Sequence, residues 1–338
     1  MKLITRKGGV RLGILGAVLA VGLSWAYITM IRMPLKSFAG NLPPLTPAQK
    51  SLSERLRRDV TVLGKDIGEH HVFLPAKLRQ AAEFVEESLS RAGRPVQRQS
   101  YEVEKEVCHN FEIEIPGKAR RAEIVVVGAH YDSVLGSPGA NDNGSGMAAL
   151  MALSASLAQI EPSRTLRFVA FVNEEPPHFQ TDLMGSRVYA RRARQRGEQI
   201  VAMVSLETLG YYSDARGSQK YPFPFGLLYP SRGNFIAFVG NTRSADLVRT
   251  CIGVFRKETA FPSEGAALPA GVAGVGWSDH WAFWQEGYHA VMVTDTAPFR
   301  YPYYHTGEDT PDKLDYDRLA RVTEGLEKVI RALVNADK

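Results

Sequence analysis

From Leu12 to Ile31, twenty consecutive residues carry no charge, and this run divides the chain into parts that must meet different solvents. As an α-helix rising ~1.5 Å per residue it spans about 30 Å, the thickness of a bilayer's hydrocarbon core. Trp25 and Tyr27 near its far end suit the membrane–water boundary. Lys2, Arg6, Lys7 and Arg11 ahead of it favour an N-terminus held in the cytoplasm. A cleaved signal peptide, cut near Ser37-Phe38-Ala39, is the rival reading. Its apolar core would run only about 7–15 residues, and Arg32 and Lys36 intervene before that site, so an uncleaved anchor is preferred. Either way the rest of the chain leaves the cytoplasm. The expected organisation is a cytoplasmic basic segment (1–11), a transmembrane anchor (12–31), a Pro-rich linker (32–47) and one domain (48–338). That domain is expected on the outer side, periplasmic or extracellular, of the cytoplasmic membrane.

Once the leader is set apart, the net charge of +5 loses its meaning as a partner signal. Six of the 41 basic residues and none of the 36 acidic ones lie in 1–45, which leaves 35 basic against 36 acidic in the remainder. Nothing there points to a nucleic acid. Cys108 and Cys251 are the only cysteines. With no Cys-x-x-Cys spacing there is no structural zinc site of that kind, and two separate buried thiols are expected rather than a disulfide.

Pro34–Pro47 reads as an extended linker, because Pro43, Pro44 and Pro47 discourage helix. Helical periodicity follows near 48–64 and 75–92, then strand-like runs near 96–104, 107–115 and 122–130. Within the last, Ile124-Val125-Val126-Val127-Gly128-Ala129 is of the kind buried on both faces of a sheet. Beyond it helices near 144–159, 183–195, 243–257, 279–286 and 313–334 alternate with strands near 165–172, 200–208, 234–239 and 289–294. Early hairpin-like strands followed by this alternation predict an α/β fold. It is a three-layer domain with a mixed, largely parallel central sheet and helices on both faces.

In such sheets ligands gather at the carboxyl ends of the strands, and here those ends are rich in metal-type side chains. The first buried strand ends His130-Tyr131-Asp132, where alternation puts His130 and Asp132 on one side and lets the carboxylate orient the imidazole. Gly139–Gly146 is a glycine-rich turn that presents Asp142 at the start of a helix. The next strand ends Asn173-Glu174-Glu175, two adjacent carboxylates leaving an apolar strand, a costly arrangement unless a cation sits there. Glu207 ends the following strand. His305 precedes Thr310-Pro311, where Thr310 can cap the last helix with Pro311 in its first turn. Each signal alone is weak; a mixed nitrogen and oxygen set from five positions suits zinc.

The segments GAHYDS, GANDNGSG, NEE, SDH and YYHTGEDTPDKLD occur in this order across the domain. In order and spacing the chain resembles the di-zinc aminopeptidase family, which also includes glutamate carboxypeptidase-like enzymes and glutaminyl cyclases. The resemblance implies two zinc ions per chain, with His130 and Glu207 on one, Glu175 and His305 on the other, and Asp142 bridging both. It implies Glu174 as general base, Asp132 as partner of His130, and a cis peptide at Asp142-Asn143. One departure stands out: Glu207 occupies a position more usually aspartate, which puts the metal spacing and relative affinities in doubt. The activity implied is removal of N-terminal residues from peptides by a water activated between metals about 3.5–4 Å apart.

Other readings are weaker. Asp279-His280 with Ser145 or Ser278 invites a nucleophilic triad, but Ser145 lacks the strand–turn–helix elbow of a hydrolase serine. His280 is expected to pack beside the site, and His70, His71 and His178 are expected in loops. The aromatic stretches 211–225 and 299–304 are candidates for a substrate side-chain pocket or for simple loop packing. A glutaminyl cyclase-like acyltransferase with one zinc and a non-catalytic membrane-bound relative are the competing functions. The intact ligand set weighs against both.

Overall fold

The structure, a computed structural model, describes residues 6–336; Met1–Thr5 of the basic N-terminal segment lie outside the described residues. Among these, one eight-stranded sheet organises the domain. In chain order the strands are β1 (Gln97–Val103), β2 (Glu106–Ile115), β3 (Arg120–His130), β4 (Arg164–Phe171), β5 (Gln199–Glu207), β6 (Ile236–Asn241), β7 (Ser263–Leu268) and β8 (Ala290–Thr294). Their spatial order is β1-β2-β4-β3-β5-β8-β6-β7. The central β4-β3-β5-β8 block is parallel, while β1, β2 and the β6/β8 pairing are antiparallel. The mixed sheet expected from the early hairpin is therefore present. Ile124–Ala129 is buried throughout, as its position between β4 and β5 demands.

The helices are α1 (Arg6–Ala26), α2 (Pro47–Thr61), α3 (Pro75–Ser90), α4 (Gly144–Leu157), α5 (Gly185–Gln195), α6 (Ala245–Glu258), α7 (His280–Gln285), α8 (Ala297–Arg300) and α9 (Tyr316–Asn335). One face of the sheet is covered by α2, α3, α4, α6 and α9, which share the larger apolar core. The other face carries α5 and α7 over a smaller core around Phe171, Tyr189 and Phe283. Cys108 and Cys251 are free and buried.

Local differences from the sequence expectation have simple causes. Pro47, expected to discourage helix, is instead the first residue of α2, where its missing N–H is not needed. Thr46 caps that helix in a reciprocal box with Gln49. The last helix begins at Tyr316 rather than 313, and Thr310 does not cap it. Pro311–Lys313 form a separate 3₁₀ turn, Leu314 is extended, and Asp315 accepts the N–H of Arg318 at 2.9 Å. The unexpected β7 (SEGAAL) has no β-branched or aromatic residue. It forms because β6 offers it a parallel ladder.

The long apolar run behaves differently from every other helix. Val10–Ile31, 22 residues, is long and apolar enough to cross a membrane, and its large side chains stand exposed. By contrast the apolar α4 is buried inside the domain. This apolar helix ends in a wider turn, Tyr27–Ile31, and the segment after it is packed on the domain. Ser37 accepts the N–H of Ser263 at 2.9 Å, and Arg256 donates to the Pro34 and Leu35 carbonyls, both at 3.1 Å.

Candidate metal centre

Strand register alone brings four of the candidate residues to one edge. His130 at the end of β3 lies opposite Phe171 at the end of β4, so Asn173, Glu174 and Glu175 emerge just beyond it. On the other side Gly128 pairs with Ser205, which places Glu207 level with His130. Asp142 arrives from the turn that starts α4, and His305 from the loop before α9. The Asp142-Asn143 peptide is cis. Asn173, Thr208 and His305 all have left-handed backbones, with φ of 58°, 48° and 57°. Three non-glycine residues in that uncommon region flank or supply the site carboxylates and imidazole.

The side chains converge around Asp142. His130 Nε2 lies 3.5 Å from Asp142 Oδ1, 3.3 Å from Glu207 Oε2 and 3.8 Å from Glu174 Oε2. On the other side of the same carboxylate, His305 Nε2 lies 3.0 Å from Asp142 Oδ2 and 3.4 Å from Glu175 Oε2. Two groups of metal-type ligands thus share Asp142: His130 with Glu207, and His305 with Glu175. His130 Nδ1 is 3.1 Å from the carbonyl oxygen of Asp132. A carbonyl only accepts, so Nδ1 carries a proton, which leaves Nε2 as the ring atom aimed at the cluster and available to a cation.

The scaffold around these groups is built from backbone amides and buried polar side chains. The carboxylate of Asp132 accepts the N–H groups of Glu174 and Glu175, both at 3.1 Å, and its Oδ1 is 3.7 Å from His130 Nδ1. It therefore holds the paired glutamates as well as facing the imidazole. Asn143 ties the turn to β5, accepting from Gly146 (3.2 Å) and Thr208 (3.1 Å) and donating to the Leu206 carbonyl. A Cβ at Gly146 would lie 2.5 Å from that carbonyl, so the approach of α4 to β5 needs glycine here. Asp309 accepts the N–H groups of Asn141 and Asp142 at 2.8 and 3.1 Å. Ser278, weighed from sequence only as a nucleophile, donates to Glu207 Oε2 at 2.7 Å and lies 2.8 Å from the Ser205 hydroxyl. A serine near a motif gives no sequence sign of such a role.

The electrostatics show a site short of positive charge. Burial pushes Glu174 well above the usual carboxylate range; His130 opposes this, and the Glu207 and Glu175 charges add to it. Burial and then the Asp142 charge push Glu175 up to about 8. Glu207 is raised mainly by burial, and Asp279 is raised to about 7 for the same reason. Burial would lower the two histidines, but facing carboxylates outweigh it. His130 is held well up by Glu207 and Glu174, and His305 is lifted to about 10 by Asp142 and Glu175. Asp142, faced by both histidines, is lowered despite its burial. His130 Nε2, Asp142 Oδ1, Glu175 Oε1 and His305 Nε2 are buried atoms with no hydrogen-bond partner. Orphaned donors and acceptors that converge in this way, in a mixed imidazole–carboxylate set, fit divalent cations of the zinc type.

The remaining candidates lie outside this convergence. The Ser145 hydroxyl donates to the Asn141 carbonyl (2.7 Å) and accepts from the Leu209 N–H (2.8 Å), so it is committed to holding the turn. His280 bonds the Val275 carbonyl through Nε2 at 2.7 Å. His70 and His71 are buried, with the His70 backbone paired to Ser133, and the His178 ring stacks on Phe73. Beside Glu207 and Tyr304 opens a cavity of about 110 Å³ whose walls include Tyr221, Phe225, Tyr229 and Phe299. Both aromatic stretches singled out from sequence therefore contribute to one apolar pocket adjoining the cluster.

Comparison with known proteins places this geometry in context. The profile of peptidase family M28 matches residues 110–330. An uncharacterised protein of Escherichia coli K12, YfbL, is 34% identical over 305 residues, 88% of this chain and 92% of that one. Leucine aminopeptidase 1 of Arthroderma otae is 26% identical over 227 residues, 63% of this chain. That match spans only about half the relative's own length, 54%. Among solved structures, a zinc aminopeptidase from Bacillus subtilis superposes with a TM-score of 0.67 at 14% identity, over 85% of this chain and 96% of that one. At that identity the likeness speaks for the fold alone.

Proposed function

The chain belongs to peptidase family M28, and from that premise we propose that it is a membrane-tethered, two-zinc aminopeptidase. One observation carries the reading. Two sets of ligand-type atoms, each with an unpaired histidine Nε2, flank opposite oxygens of Asp142, and Glu174 lies beside them, 3.8 Å from His130 Nε2. His130 and Glu207 would hold one zinc, Glu175 and His305 the other, and Asp142 would serve both.

When bound, the ions supply a water of lowered pKa and polarise the scissile carbonyl. The protein's own groups do the rest. Glu174 lies within reach of the space between the ligand sets; it takes the proton from the attacking water and passes it to the leaving amine. Asp132 fixes the Glu174 and Glu175 amides, so the base and the neighbouring ligand keep opposite orientations. The apolar cavity next to Glu207 takes the side chain of the N-terminal residue, which favours bulky apolar residues there. The anchor Val10–Ile31 would cross the membrane once and hold the domain on the outer side.

The test is a metal count on the purified chain alongside a panel of aminoacyl and N-acetylated peptides. About two zinc ions per chain and hydrolysis confined to free N-termini are expected. A chain that binds zinc yet cleaves neither class would overturn the reading. One zinc with cyclisation of N-terminal glutamine would move it to the acyltransferase alternative.

A further inference from the structure

We propose that the loop Tyr221–Tyr229 is a second membrane contact, dipping Phe223, Leu227 and Leu228 into the lipid interface where the anchor leaves the bilayer. The inference rests on reading Val10–Ile31 as a membrane span. Outside α1, Phe223 (91% exposed) and Leu227 (81%) are the most exposed large apolar residues among those described, and Leu228 beside them is 50% exposed. Such a cluster on one short loop is costly in water. The loop is nevertheless well held. Tyr221 stacks on Tyr229 at 5.7 Å, the Tyr221 hydroxyl donates to the Pro230 carbonyl, and the Tyr229 hydroxyl donates to the Gly265 carbonyl, both at 2.7 Å. Its inner face lines the pocket, and its outer face has nothing to cover it.

The occupant follows from what sits beside it. Gly265, which receives the Tyr229 hydroxyl, is also where the chain leaving the anchor docks: a Cβ there would lie 2.9 Å from Met33 Cγ. Met30, Ile31, Phe225 and Tyr229 all pack on the same smaller apolar core. The foot of the anchor and the root of the loop thus share one strand, β7, so the loop springs from the place where the helix meets the domain. Residues 221–231 carry no charge and are bounded by Lys220 and Arg232, while Arg32 and Lys36 follow the anchor. An apolar, tyrosine-bearing tip edged by cations is the pattern of an interfacial segment on an anionic leaflet. Because the loop's other face is a pocket wall, this contact would turn the pocket toward the membrane surface. Peptide N-termini close to the bilayer are then the substrates best presented.

The full chain, reconstituted in phosphatidylcholine–phosphatidylglycerol vesicles, tests this by depth-dependent quenching. Cys108 and Cys251 are buried, so a maleimide dye reports from Phe223→Cys, from Val18→Cys within the anchor, or from the exposed Val107→Cys. Val107 lies on β2, at the far side of the sheet from β7. With lipids brominated near the glycerol backbone, the dye at 223 should be quenched at least about twofold more than at 107, as an interfacial side chain requires. An unchanged melting temperature of each labelled chain confirms that it is folded. Quenching at 223 no greater than at 107, with 18 quenched, overturns the proposal while leaving the anchor in place. Absence of quenching at 18 by lipids brominated deep in their acyl chains removes the anchor reading and the loop contact with it, and neither result bears on zinc content or peptide hydrolysis.

Discussion

His130 and His305 address the same carboxylate from opposite sides, yet they are held in very different ways. His130 ends a strand in the middle of the sheet, its side chain wholly buried and its ring aligned by the Asp132 carbonyl. His305 sits in a loop with a left-handed backbone, its side chain 30% exposed and its ring stacked on Tyr304 at 3.8 Å. The deep half of the centre is a product of sheet register, so it forms when the core forms. The outer half depends on one loop being pinned, which Asp309 and the Pro311–Lys313 turn accomplish. A centre built this way has a rigid side and an adjustable side, and the adjustable side is the more exposed of the two.

The largest effect should come from removing what the two halves share. Asp142→Ala takes a ligand from both sides at once, so zinc content should fall from about two toward zero and turnover by roughly 10³-fold or more. Two tightly held metals in that variant would mean the halves are independent and the bridge is misassigned. Next in size is the adjacent pair. Glu174→Gln should keep both metals and near-normal KM but lose at least ~10² in kcat. Glu175→Gln should lose metal from the outer half, with partial recovery in excess zinc. The reverse pattern would exchange the two roles.

The contrast between the halves is then open to direct measurement. His305→Ala should weaken one zinc by more than the ~10–100-fold that losing only a ligand's outer partner costs, and recover activity with added metal, because its loop is accessible. His130→Ala should resist rescue and lower the melting temperature of the zinc-loaded chain more. The expected margin is several degrees, at ~2–4 °C per kcal/mol for a domain of this size. Equal rescue of the two variants would remove the distinction between a rigid and an adjustable side.

The deep half was also the more legible in the sequence. An uninterrupted run such as Ile124–Ala129 fits only a strand buried on both faces, and polar residues that end such strands must gather at one edge. The positions of His130, Glu174, Glu175 and Glu207 at that edge could be read on that basis, whereas every ligand or base role, those of Asp142 and His305 included, came from a family resemblance. What stayed hidden were contacts between distant segments. The Asp132 carboxylate reaches across to the Glu174 and Glu175 amides, and the segment after the N-terminal apolar helix docks on β7, itself unreadable because it is Gly, Ala and Ser with one glutamate and one leucine. The start of α9 was misjudged because Asp315, a good capping residue, lies only a few positions beyond Thr310-Pro311, another good helix start. Local preference could not choose between them.

Ser278 gives the smallest and most discriminating test of the rigid half. It lies 71 residues from Glu207 in sequence, and its hydroxyl is the observed donor to Glu207 Oε2. Since that hydroxyl has a single proton, Ser205 must donate in turn to Ser278, which makes a short relay from the β5 backbone region to the ligand. A carboxylate longer than aspartate has an additional torsion to restrain, and this bond restrains it. Ser278→Ala should therefore leave the fold and the outer zinc unchanged and loosen the inner zinc by about 10-fold, the lower end of the range for losing a ligand's outer partner. The fall in kcat/KM should disappear in excess zinc, while Ser278→Thr, which keeps the hydroxyl, should stay near the parent. Competitive chelator titration of the two sites separates these outcomes. If Ser278→Ala weakens neither site, Glu207 is held by the strand alone, and the rigidity of the deep half is a property of the sheet rather than of its hydrogen bonds.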